Sequence, residues 1–308
     1  MRKLLVFILL FSLIANVSDA QHGKRRKGNF GRKKPPYRYE LVGSLGVANF
    51  LGDLGGANQI GTNGLKDLEL VMTRPAMGAG MRFKIASHFS AKGNFYWGII
   101  RGDDKLTQEP FRNTRNLNFK SNIFELSGQI EFKFSRDQKG HVYMIKGVRG
   151  MKRKERDLYL FAGGGGVYFN PKGKYLDNKW YKLQPLGTEG ELLPGAKKYS
   201  RITGLISLGG GFRLSLNRYW GVGFELGMRK TFSDYMDDVS TKYADPAIFN
   251  GDPKATYFAN PSNPDSPNYC YPCTGEQRGD HTDKDAYMFA AFTVGYKVMF
   301  KKRSRSKF

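Results

Sequence analysis

The 308 residues carry 50 Lys and Arg against 27 Asp and Glu, a formal charge of +23. A balance that basic suggests a polyanion as partner, but where the charges sit along the chain argues otherwise. The mean hydropathy is -0.51 and no apolar run approaches the roughly twenty residues of a spanning helix, so any membrane crossing has to be made by strands.

In chain order, Arg2 and Lys3 precede an apolar run from Leu4 to Ala15, and Ser18 and Ala20 occupy the small-residue positions before a cut. Residues 1–20 therefore read as a secretory signal peptide, with an apolar run too short for an anchor. No Cys follows the cut, which argues against a lipoprotein. Residues 21–36 are a basic segment.

From Tyr37 the chain alternates at period two, as strands with two unlike faces do. Tyr39, Leu41, Leu45 and Val47 oppose Arg38, Glu40 and Ser44. Met77, Ala79, Met81, Phe83 and Ile85 oppose Arg82 and Lys84. After a turn near His88, Phe89, Ala91, Phe95, Trp97 and Ile99 oppose Lys92 and Asn94. Phe124, Leu126, Ile130, Phe132 and Phe134 oppose Glu125, Ser127, Gln129 and Glu131. Leu158 to Phe169 is apolar on both sides, so its facing is open. Ile202, Ile206, Leu208, Phe212 and Leu214 oppose Arg201, Thr203, Ser207 and Arg213, and Trp220, Val222, Phe224, Leu226 and Met228 oppose Glu225 and Arg229. The last segment sets Met288 to Phe300 in even steps against Ala291, Thr293, Gly295 and Lys297.

The connections alternate between long (52–75, 102–117, 170–200, 233–284) and short (87–88, 216–219), the habit of outer-membrane barrels with long outer loops and short periplasmic turns. Residues 135–157 lie on the short side yet form a long insertion. Eight strands leave a lumen wide enough only for side chains. Arg38, Arg82, Glu125, Glu131, Arg201, Arg213, Glu225 and Arg229, with Lys84 and Lys92, are expected to fill it as an ion network. Removing Glu125 or Glu225 should then destabilise more than removing any loop acid.

Charge sorts by side. Residues 21–36 hold seven basic groups and no acid, 135–157 hold eight against three, and 301–308 hold five against none. All three fall on the periplasmic side, while the four outer loops together are slightly acidic. Such a face suits an acidic partner or anionic headgroups. Nucleic acid is not expected for an exported chain without a recognisable module.

Other chemistry is thin. His22, His88, His141 and His281 are scattered, and His281 beside Asp280 and Asp283 is the least unsuitable group for a lipid-modifying enzyme. Cys270 and Cys273 at CxxC spacing in an exported loop make a local disulfide more often than a redox or zinc centre. Asp234, Asp237 and Asp238 lack the ligand spacing of a calcium loop, so their expected role is loop solubility. Neither a metal nor a cofactor is expected.

NFLGDLGG (Asn49 to Gly56), RNLNFKSNIFELSGQIEFKF (Arg115 to Phe134), LQPLGTEGELLPG (Leu183 to Gly195) and KTFSDYMDDVSTKYAD (Lys230 to Asp245) together resemble the PorG family of the type IX secretion system. The resemblance implies a non-enzymatic barrel in a Bacteroidota-like outer membrane that meets a periplasmic ring of PorK-like lipoprotein and PorN-like protein, serving cargo export and gliding. It supplies no catalytic residues.

The expectation is thus an all-β, OmpA-like, eight-stranded antiparallel transmembrane barrel over 37–300 with periplasmic termini and a basic tail at 301–308. The ring contacts expected are Lys24, Arg25, Arg26, Lys27, Arg32, Lys33 and Lys34, then Lys152, Arg153, Lys154 and Arg156, then Lys301, Lys302 and Arg303. Outer-membrane lipid is the other partner, and no small-molecule substrate is expected. The rival is a surface module, adhesin-like, acting through loops 170–200 and 233–284.

Overall fold

A computed structural model describes residues 37–52, 54, 70–106, 110–134, 156–191, 193, 196, 198–217, 219–265 and 269–299. The signal peptide, the basic segments 21–36 and 301–308, and most of the insertion lie outside the described residues. Among the expected ring contacts only Arg156 is described.

The strands are β1 (Tyr37–Leu51), β2 (Arg74–Lys84), β3 (Phe89–Asp103), β4 (Asn118–Lys133), β5 (Arg156–Tyr168), β6 (Pro171–Lys174), β7 (Trp180–Lys182), β8 (Ile202–Ser215), β9 (Trp220–Thr231) and β10 (Ala286–Met299). Two short helices, α1 (Pro110–Arg115) and α2 (Pro253–Ala259), lie in connections. Eight strands pair antiparallel in the ring β1-β2-β3-β4-β5-β8-β9-β10, and β10 pairs back to β1. This is a closed eight-stranded antiparallel barrel. Closure satisfies every strand's ladder without a free edge, as a bilayer demands. The small hairpin β6–β7 adds to the upper end of β4, where Lys120 and Ser121 pair with Lys172 and Pro171.

The faces are inverted relative to a water-soluble protein. Leu45, Leu126 and Phe292 are 67%, 69% and 71% exposed, while Glu125 and Glu131 are fully buried. An apolar exterior around a charged centre is what lipid outside and a filled lumen inside require. No described helix is long and apolar enough to cross a membrane.

The strand of open facing, β5, turns Tyr159 and Phe161 inward and Leu158 and Leu160 outward. Its inward face carries two large rings because glycines across the ladder make room for them. A Cβ at Gly209 would lie 2.4 Å from the Phe161 ring, and one at Gly211 would lie 2.5 Å from Tyr159. At one rim the turns are tight: Asn217 Oδ1 accepts from Tyr219 N and Trp220 N at 2.8 and 2.7 Å. At the other rim the described parts of the long connections form a cap whose core joins the upper barrel through Leu54, Phe119, Leu183, Met236, Val239 and Phe258.

Candidate functional site: a filled lumen beneath a folded cap

Alternation aims the inward residues of neighbouring strands at one another, and their charges form two chains. In the first, Lys133 pairs with Asp157 at 3.1 Å, Asp157 with Arg213 at 2.7 Å, Arg213 with Glu40 at 3.2 Å, Glu40 with Arg82 at 2.8 Å, and Arg82 with Glu131 at 2.6 Å. In the second, Lys92 pairs with Glu225 at 2.8 Å, Tyr96 donates to Glu225 at 3.4 Å with its ring centre 5.4 Å from the Arg229 guanidinium, and Arg229 lies 3.4 Å from Glu125. Tyr159 donates to Glu225 at 3.0 Å, and Tyr287 and Ser127 donate to Glu125 at 2.8 and 2.6 Å. The Arg229 guanidinium sits 4.6 Å from the centre of the Phe289 ring. Charges this deeply desolvated persist only when paired and hydrogen-bonded. Among the described residues the interior is packed with paired side chains, as an eight-stranded barrel wide enough only for side chains requires.

Of the lumen residues expected from the sequence, Arg82, Glu125, Glu131, Arg213, Glu225 and Arg229 meet there, as does Lys92. Two do not. Arg38 is exposed, because a register shift between Tyr37 and Tyr39 breaks the alternation at the start of β1. Arg201 precedes β8, above the last ladder pair of Tyr168 with Ile202, and its guanidinium lies 5.8 Å from the Tyr168 ring. Lys84 lies at the rim over Tyr37 rather than inside. Parity puts Glu40 on the inward face, where it lies, but the expected ion network omits it along with Lys133 and Asp157, and Asp157 is counted among the periplasmic charges. Parity was the available signal: Lys133 continues the inward series of β4, and Asp157 shares a face with Tyr159.

The cap buries charge as well. Arg278, 3% exposed, donates to Glu189 at 2.8 Å and to the carbonyl oxygens of Asp238 and Phe258 at 2.6 and 3.2 Å. Glu189 also accepts from the Ser240 and Thr241 backbone at 2.9 and 3.0 Å. Asp234, Asp237 and Asp238 are not solvated loop acids. Asp234 accepts from Ser240 at 2.7 Å, Asp237 from Val239 N at 3.1 Å, and Asp238 from Thr188 and Tyr199 at 2.6 and 2.5 Å. Burial pushes the Asp238 carboxyl up to about 7 despite the nearby Arg278 and those two donors. No group of three or more potential ligands that could hold a metal occurs among the described residues.

Cys270 and Cys273 are bridged. Asp280 accepts from Thr282 at 2.6 Å, and Asp283 pairs with Lys230 at 2.6 Å in a partly exposed setting. Arg156 opens β5 at the rim of the short turns and is exposed.

An ion-filled lumen inside an apolar belt defines a transmembrane β-barrel of the small outer-membrane class. No protein-family model matches the sequence, and no curated protein matches it. Solved structures similar to it include Ail, the attachment invasion locus protein of Yersinia pestis, at 8% identity over 85% of this chain and 99% of that one with a TM-score of 0.35. The neisserial surface protein NspA aligns at 5% identity over 84% and 97% with a TM-score of 0.36. The outer membrane protein OprG of Pseudomonas aeruginosa aligns at 9% identity over 86% and 98% with a TM-score of 0.35. These likenesses concern the fold alone.

Proposed function

We propose that this chain is a non-catalytic outer-membrane component of a type IX secretion machinery, a fixed anchor that holds a periplasmic ring of PorK-like and PorN-like proteins. The observation that carries the anchor reading is the filled lumen: a barrel packed with paired side chains is suited to act through its surfaces. The ring assignment rests on the PorG resemblance and on the basic segments at 21–36, 135–157 and 301–308, whose charge suits an acidic partner.

Reversing Lys24 to Lys34, Lys152 to Arg156 and Lys301 to Arg303 to Glu is expected to abolish co-purification of ring proteins, and added salt is expected to weaken it. Co-purification that survives both sinks the contact assignment. Planar-bilayer recordings of the barrel are expected to show no steady conductance, and an open channel would sink the anchor reading itself.

The folded cap favours a second reading, a surface module that binds through its outer loops. Deleting 233–284 separates the two. Loss of surface binding with export intact supports the module, and the reverse supports the anchor.

A further inference from the structure

We propose that the outer rim of the barrel carries a binding site for phosphorylated lipid headgroups of the outer leaflet, built on a row of cations crossing four strands. Arg101 on β3 faces Lys120 on β4, Lys120 faces Lys172 on β6, and Lys172 faces Lys182 on β7. Residues directly opposite in an antiparallel pair share a face with Cβ atoms about 5 Å apart, and like charges so placed repel. That shared face is the outward one. Ile100, Phe119 and Ser121, the alternating neighbours of Arg101 and Lys120, are fully buried on the lumen side.

Little protein charge offsets the row. Arg101 reaches Asp103 at 3.2 Å, and among the described residues none of Lys120, Lys172 and Lys182 forms an ion pair. Trp180 lies within the row, its ring centre 5.8 Å from both the Arg101 guanidinium and the Lys120 ammonium. The ring relieves some of the repulsion and suits the membrane interface.

Position identifies the occupant. On the same face of β4, Phe124 is 42% exposed and Leu126 69%, within the apolar belt. Lys120 stands four residues further up, about 10 Å above Phe124 along the membrane normal for a tilted strand. That is the depth of headgroup phosphates. The hairpin β6–β7 widens the row beyond what two barrel strands could present, to the span of a headgroup bearing more than one phosphate.

The test mixes full-length protein in detergent with bisphosphorylated lipid A, with its dephosphorylated form, or with inorganic phosphate, and counts bound lipid by native mass spectrometry. The phosphorylated lipid is expected to be retained at least about ten-fold more strongly than the dephosphorylated one. The preference should vanish in the combined variant Arg101→Gln, Lys120→Gln, Lys172→Gln, Lys182→Gln and persist in Arg38→Gln at the opposite rim. Equal retention of both lipids, or retention unchanged in the combined variant, overturns the site. Displacement of the lipid by millimolar phosphate also overturns it, in favour of a free-anion site. If the combined variant does not fold, Lys172→Gln with Lys182→Gln in the surface hairpin provides the comparison.

Discussion

The lumen and the cap both bury charge, but they place it by different means. In the lumen each ion sits on a ladder whose backbone bonds are already made, so the register alone decides who meets whom, as when Glu40 bridges Arg82 and Arg213. In the cap, Arg278 meets Glu189 across 89 residues of chain, and irregular backbone holds both. A lumen pair is therefore tied to the whole barrel and a cap pair only to the loops around it. A loop acid can still be as deeply paired as a lumen acid, so the expected contrast between Glu225 and every loop acid does not extend to Glu189 or Asp238.

The largest expected effect is Glu40→Ala, which removes the shared partner of two buried guanidinium groups. It should lower the folding stability in vesicles by about 3 to 5 kcal/mol, read from the urea midpoint. A midpoint within error of wild type would mean that the lumen chain is not coupled. Next is Arg278→Ala. It should cost the cap about 3 kcal/mol and strip exchange protection from 232–285, while the barrel midpoint stays in place. A matching fall in the barrel midpoint would erase the distinction between the two regions.

The pH response sharpens the comparison further. Asp238 faces Arg278, Thr188, Tyr199 and Glu191, and its carboxyl is raised by burial to about 7. The folded cap therefore keeps a proton that the unfolded loop releases near pH 4. The stability this gives is full below about pH 4 and lost as pH rises to about 7. Burial raises Glu191 and Asp104 as well, with the same sign. Cap protection, corrected for intrinsic exchange, should decline across that window, and Asp238→Asn should flatten the decline; a decline of wild-type size in the variant would clear Asp238 of the role. The smallest effect belongs to Arg201→Ala and Arg38→Ala. Outside the lumen, each should change stability by no more than about 0.5 kcal/mol in the same urea titration.

The barrel was legible because its strands repeat one rule. In β10 the rule puts Phe292, Val294 and Tyr296 out, and Thr293 and Lys297 in. It misled at Arg38, Lys84 and Arg201, where parity is right but the ladder has shifted or stopped. It was silent at β5, whose inward Tyr159 and Phe161 are as apolar as their outward neighbours and face glycines that carry no pattern of their own. The cap was illegible because loops have no period. Nothing in the spacing of Glu189, Asp238 and Arg278 announces that they meet, and local acidity read as solvation. The Arg101 to Lys182 row was hidden similarly, since only the pairing of β4 with β6 brings its halves together.

The seam between β1 and β10 joins the first and last strands, with Glu40 opposite Lys297 and Leu51 opposite Ala286. A nascent chain therefore carries β1 with one side bare until the final strand is made, and any product ending before Ala286 exposes two unsatisfied sheet margins to lipid. Assembly is committed only when the C-terminal strand arrives, so truncation from that end should leave no partial barrel in the membrane.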